Sequence, residues 1–141
     1  LHSRIWSSSA YFQNSIYFIG GWFSRDTAER IDLNTTVSTL IEGPEEHTDS
    51  HCLVVFGNKV WKVGGSLGDD KGLKSTWIHQ SSSWSKGPTL NAGRMGHSCG
   101  VMKSPLTGED MMVVAGGYNE NGEKLASVEL LFSGESNFIF G

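Results

Sequence analysis

An all-β fold built from three consecutive four-stranded antiparallel units is what this sequence predicts, on three observations. Glycine (18) and serine (19) far outnumber alanine (5) in a chain of 141 residues, and both favour non-helical backbone. Three Gly-Gly doublets, Gly20-Gly21, Gly64-Gly65 and Gly116-Gly117, each close a short apolar run rich in β-branched and aromatic residues, as buried strands are. A further glycine then follows each doublet at a steady interval, Gly43 at 22 residues past Gly21, Gly87 at 22 past Gly65 and Gly141 at 24 past Gly117. The units span residues 1–43, 44–87 and 88–141, with a mean period of 47, inside the range of about 40–50 residues seen for blades that fan around an axis.

Within each unit the strands follow in order. The first is expected at 9–13, 52–56 and 99–103, and the second is the apolar run that ends at the doublet: 16–19, 59–63 and 111–115. The third is expected at 28–33, 75–80 and 126–132, and the fourth ends at Ile41, Lys86 and Phe140. Connections of two to eight residues make each unit an up-and-down meander. The third unit is lengthened by the turn-rich stretch 103–110. Ahead of the first strands, Arg4, His47 and Arg94 occupy equivalent places, which puts Cys52 and Cys99 in register.

These landmarks resemble the kelch-repeat family, best in the middle of the chain. Gly64-Gly65, Trp84-Ser85-Lys86-Gly87-Pro88 and Gly93-Arg94-Met95-Gly96-His97-Ser98 are similar to that family's doublet, tryptophan and returning loop, and 127–131 to the strand after the doublet. The resemblance implies a kelch-type β-propeller segment of three four-stranded blades. The tryptophan place is filled by Leu40 in the first unit and Phe138 in the third, and the family's third-strand tyrosine is replaced by Ile31 and Leu131. Trp84, Leu40 and Phe138 are expected to be apolar anchors between neighbouring sheets. The doublets serve turns or close backbone approach, which only glycine permits.

A four-stranded meander brings two sets of loops to one end. The loops after the second strands carry Trp22 and Arg25, then Asp69, Asp70 and Lys71, then Tyr118, Asn119 and Glu120; the segments before the first strands add Glu46, His47 and Arg94. Trp, Tyr and Arg are the residue types enriched at energetic centres of interfaces, so this end is the expected binding face. The resemblance implies a non-catalytic protein-interaction scaffold or adaptor. The family also holds copper-dependent galactose oxidases and actin-associated proteins such as scruin, which stand as alternatives. The copper site takes tyrosine and histidine ligands and a tyrosine–cysteine crosslink, and Tyr11, Tyr17 and Tyr118 stand in no matching motif.

Other chemistry lacks its signature. No Walker loop, HExxH, paired CxxC or GxSxG occurs, so no catalytic residue, cofactor or metal site is expected. His47 and His51 are four apart, but on a loop and a strand rather than one helix face. Cys52 and Cys99 are expected to be free buried thiols. Matched sites on neighbouring inner strands would hold their α-carbons beyond the roughly 7 Å a bridge tolerates. Net charge −4 and 18% charged residues predict no electrostatic binder of nucleic acid or of an anionic membrane. The longest apolar runs, 52–56 and 111–115, are far short of the roughly 20 residues that span a bilayer. The compartment stays open between cytoplasmic and secreted. Asn34-Thr35-Thr36 is a glycosylation acceptor sequence, usable only on a secretory route. The chain opens on Leu1 and reads as an excerpt or processed product. Three blades cannot close a ring, which takes about four to eight, so the expected partners include further blades of a longer chain or a second copy.

Overall fold

The apolar runs alternate as half-buried strands do, with Ser15–Ile19 burying Ser15, Tyr17 and Ile19, while Lys59–Val63 is buried at its last four positions. The computed structural model describes residues 2–141, and the regular elements among them are all strands. The first sheet comprises β1 (Ser8–Phe12), β2 (Ser15–Ile19), β3 (Ala28–Asp32) and β4 (Ser38–Ile41). The second comprises β5 (Cys52–Phe56), β6 (Lys59–Val63), β7 (Thr76–Gln80) and β8 (Ser83–Lys86). The third comprises β9 (Ser98–Lys103), β10 (Asp110–Ala115), β11 (Val128–Phe132) and β12 (Ile139–Phe140). Each is an antiparallel meander in chain order.

Two apolar clusters lie between consecutive sheets. Ala10, Tyr17, Ile19 and Ala28 of the first sheet pack on Leu53 and Val60 of the second. Val54, Phe56, Trp61 and Val63 pack on Met112, Val114, Leu131 and Phe138 of the third. Trp84 completes the first cluster, and its indole N–H donates to the Glu42 carbonyl of the preceding unit at 2.9 Å. The second sheet is therefore covered on both faces, and its two neighbours on one each. Among the described residues no helix is long and apolar enough to cross a membrane.

Strand register corrects two expectations. Gly20, Gly64 and Gly116 donate to the carbonyls of Thr27, Ser75 and Ser127 at 2.9, 2.9 and 3.3 Å, which aligns the three sheets. On that alignment Ile31, His79 and Leu131 are equivalent. Ser38 lies opposite Ile31 and Trp84 opposite His79, while Leu40 and Phe140 lie opposite Glu29 and Glu129. Ser38, not Leu40, stands where Trp84 and Phe138 stand. Leu40 is two residues further along on the uncovered face of the first sheet, 62% exposed, so it anchors nothing among the described residues.

Cys52 and Cys99 are joined by a disulfide, with α-carbons 6.0 Å apart. Cys52 pairs with Val63, the residue before its doublet, whereas Ser98 pairs with the corresponding Ala115. Cys99 therefore matches Leu53 and lies one residue out of step with Cys52. Because side chains alternate faces along a strand, Cys52 points toward the third sheet and Cys99 toward the second. The expectation of free thiols assumed matched sites on one face; the single-residue offset turns the two sulfurs toward each other. Closing a loop across a sequence separation of 47 restricts the unfolded chain by about 4 kcal/mol in the chain-entropy treatment.

Candidate interaction surface

At one end of the sheets, the loops after β2, β6 and β10 meet the segments that approach β1, β5 and β9. They form one hydrogen-bonded layer. Trp22 donates its N–H to the Ile5 carbonyl at 2.8 Å, Ser50 to Trp6 at 2.8 Å, Gly65 to Arg94 at 2.8 Å and Met95 to Tyr118 at 3.0 Å. Gly96 to Ser50 at 2.8 Å and Gly72 to Asn119 at 3.1 Å carry the layer across from one unit to the next. The doublets make this closeness possible. Gly20 has φ 56°, and a Cβ there would lie 2.2 Å from the Thr48 carbonyl oxygen; at Gly64, φ 57°, it would lie 2.5 Å from that of Arg94.

The same contacts show what holds the layer from beneath. His51 and His97 are buried, their Cε1 atoms beside Gly20 and Gly64, one at each seam between consecutive sheets. Burial, reinforced by the charge of Lys62, lowers His51 from 6.5 to about 3, and burial with the Arg94 charge lowers His97 to about 4. Both rings are neutral at ordinary pH. They are packing elements of the seams rather than exposed ligands.

Arg94 is a second such element. Expected on the loop surface, it is fully buried. Its Nε donates to Glu129 Oε1 at 3.1 Å, Nη1 to the carbonyls of Gly116 and Ser127 at 2.8 and 3.0 Å, and Nη2 to Ser127 Oγ at 2.8 Å. Arg4 repeats this in the first unit, reaching Glu29 Oε1 at 2.8 Å and the carbonyls of Gly20 and Thr27 at 2.6 and 3.1 Å. Glu29 is held down at about 2: burial alone would raise it, but hydrogen bonds from His2, Arg4 and Ser38 outweigh that. Glu46 likewise works inward. It pairs with the fully buried Lys62 at 3.4 Å and accepts the Ser75 hydroxyl. Burial pulls Lys62 down to about 8 against the opposing pull of Glu46.

Over the first unit the exposed loop end carries an aromatic cluster. The Trp6 and Trp22 rings meet edge to face at 5.6 Å, and the Arg25 guanidinium lies 4.4 Å from the Trp22 ring centre. Arg25 is fixed in turn by Asp49, Nε to Oδ2 at 2.7 Å. Trp6 has φ 54°, a left-handed conformation costly for a bulky residue. It is 62% exposed, and Phe23 beside Trp22 is 76% exposed. Asp70, Lys71 and His47 are exposed, as is Tyr118 at 40%. Asp69 accepts from the Lys71 N–H, Asn119 closes its own loop on Glu123, and Glu120 pairs with Lys74 at 3.4 Å while accepting the Gly93 N–H at 3.0 Å. Thus Trp22 and Arg25 come together, while Asp69 shapes its own turn and Glu120 ties the third loop to Lys74 of the second unit and to the Gly93 N–H. Trp6 and Phe23 are the residues that sequence reasoning left unassigned. The signal for Trp6 was an aromatic at an approach segment where the other two units have Ser50 and Gly96, and for Phe23 its place beside Trp22 on the same loop.

A separate hollow of 580 Å³ opens at the opposite end between the first and second sheets, lined by Tyr17, Arg30, Lys59 and His79 among others. Burial and the Arg30 charge lower His79. Among the described residues no group of three or more His, Cys, Asp or Glu side chains is placed to hold a metal ion. No protein-family model matches the chain, and no curated protein matches it.

Proposed function

We propose that the three sheets are kelch-type blades of a β-propeller and that the chain is a non-catalytic protein-interaction module, binding through the loop end. One observation carries the reading: the Trp6–Trp22–Arg25 stack, flanked by exposed Phe23, is fixed on a layer that is hydrogen-bonded throughout. Preorganised aromatic and arginine side chains lose little freedom on binding and dominate interface energetics. Side-by-side β1, β5 and β9, with clusters only between consecutive sheets, support the blade reading. So does the outer face of the third sheet, where Gly100, Met102, Val113 and Ala115 line a shallow apolar groove of 300 Å³. Further blades of a longer chain, or the first sheet of a second copy, cover that face in the closed ring.

The test is affinity capture from extracts of the source with the wild-type chain, with W6A/F23A, and with N58A at the opposite end. Partners held by wild type and N58A but lost from W6A/F23A support the reading. Identical capture by all three overturns it. For the two-copy form, sedimentation at twice 15.4 kDa is the expected mass, and a single-copy mass at every concentration sinks it.

A further inference from the structure

Two observations made for different reasons converge on the route by which this chain matures. The first is the Cys52–Cys99 bridge, which leaves no free cysteine among the described residues. Disulfides of this structural kind persist in oxidising compartments and are rare where glutathione and thioredoxin keep thiols reduced. The second is Asn34-Thr35-Thr36, whose asparagine is the only one in the chain with Ser or Thr two residues on. It lies on the turn between β3 and β4, where Asn34, Thr35 and Thr36 are all exposed. The turn is built by the Asp32 carboxylate, which accepts the N–H groups of Asn34 and Thr35 at 2.9 and 3.2 Å. It makes no use of the Asn34 side-chain amide. A substituent on Nδ2 therefore displaces no contact, and the turn is at the end of the sheet opposite Trp22 and Arg25, where a bulky sugar leaves the loop face clear.

We propose that Asn34 is an N-glycosylation site, filled in the same oxidising compartment that joins Cys52 to Cys99. In the glycosylation step Asn34 Nδ2 attacks C1 of the first N-acetylglucosamine of a lipid-diphosphate-linked oligosaccharide. A C–N bond forms, the C–O bond to the diphosphate breaks, the lipid diphosphate leaves, and the amide gives up one proton. In the oxidation step the two thiols release two protons and pass two electrons to the disulfide of a thiol–disulfide oxidoreductase, which leaves as a dithiol. The acceptor sequence alone is a weak pattern. Its exposure on an unencumbered turn, in a chain that also carries a structural disulfide, is what gives it weight.

The experiment is peptide mass spectrometry on the protein isolated from its source, alkylated without prior reduction. The expected result is a peptide bearing glycan on Asn34, converted to aspartate by a glycan-releasing amidase in heavy-oxygen water, together with Cys52 and Cys99 peptides linked until reductant is added. A wholly unmodified Asn34 overturns the proposal whether or not the cysteines are linked. As a second arm, the full chain is passed through the secretory route of cultured eukaryotic cells. Wild type and T36S should show an amidase-sensitive gel shift that N34Q and T36A lack; wild type running with N34Q overturns the proposal. These readouts are independent of what the loop face binds.

Discussion

The outer units and the middle one solve the same packing problem with different chemistry. In the first and third, an arginine from the approach segment grips a glutamate on the third strand and the carbonyls around the doublet: Arg4 with Glu29, Arg94 with Glu129. In the middle unit Thr48 lies under Gly20 as Arg94 lies under Gly64, and Trp77 takes the place of the glutamates. Lys62 on the second strand then supplies the buried cation, paired with Glu46, and Lys86 covers the Trp77 ring at 5.7 Å. What repeats is therefore the close approach of backbone at the doublet, and the group that braces it is free to change. A buried ion pair is one brace among several, consistent with its weak net contribution once desolvation is counted.

The sharpest way to break that comparison is at Arg94. Removing one partner of a fully buried pair costs about 3–5 kcal/mol, because it strands the other charge. R94M should lose that much in urea unfolding. R4M should lose less, because Arg4 and Glu29 lie on the face of the first sheet that no other sheet covers, and Glu29 keeps bonds from His2 and Ser38. If the pair is only a brace, the double variant R94M/E129Q recovers part of the loss: its single amide oxygen still accepts the Asn91 N–H, while the bond from the Ala92 N–H to the second carboxylate oxygen is given up. A double variant as costly as the sum of its single changes would show no coupling between the two side chains, and the stranded-charge account of the R94M loss would fail.

Arg94 also marks what the sequence leaves hidden. Its partner is 35 residues away, and an arginine before a strand looks the same in one dimension whether it faces solvent or a buried carboxylate. The doublets were legible because positive φ and close approach demand glycine and nothing else. The three fourth-strand ends that follow them, at Ile41, Lys86 and Phe140, and the order of the strands, came with that. The cysteine offset was not legible. Four residues separate Thr48 from Cys52 and five separate Arg94 from Cys99, a difference that composition and spacing absorb easily. It nevertheless moves a side chain to the other face of a strand. Trp6 was hidden for a related reason: its exposure follows from a left-handed backbone held by the Ser50 N–H, not from its neighbours in sequence.

A second comparison is between the two seams, each of which encloses a neutral histidine beside its glycine doublet, His51 in one and His97 in the other. Both have folded-state values below the 6.5 of the free ring, so the fold favours the neutral form. Their contribution is fully present above pH 6.5 and is lost as pH falls toward about 3 for His51 and about 4 for His97. Urea midpoints should therefore decline between pH 6.5 and 4 in the wild type. H51Q should flatten that decline more than H97Q, since its value lies lower. Glu29 stays out of this window, because its stabilising charge is lost only as pH falls from 4.5 through about 2. Parallel curves for wild type, H51Q and H97Q would remove both seams from the account of acid sensitivity.

The smallest expected effect distinguishes the covered from the uncovered sheet face. Sequence spacing makes Trp84 and Leu40 equal anchors, and register makes them unequal. W84A opens the seam between the first and second sheets and breaks the bond to Glu42, so it should cost about 3 kcal/mol. L40S alters a residue with no sheet against it and should stay within about 0.5 kcal/mol. Measuring both at low and high protein concentration gives the comparison a further use. If a second copy closes over the outer face of the first sheet, L40S leaves the dilute midpoint unchanged and lowers only the concentrated one, because association then adds stability that Leu40 helps to supply. A loss as large as that of W84A under dilute conditions would mean that Leu40 is an interior anchor after all, and that the alignment of Ser38 with Trp84 is wrong.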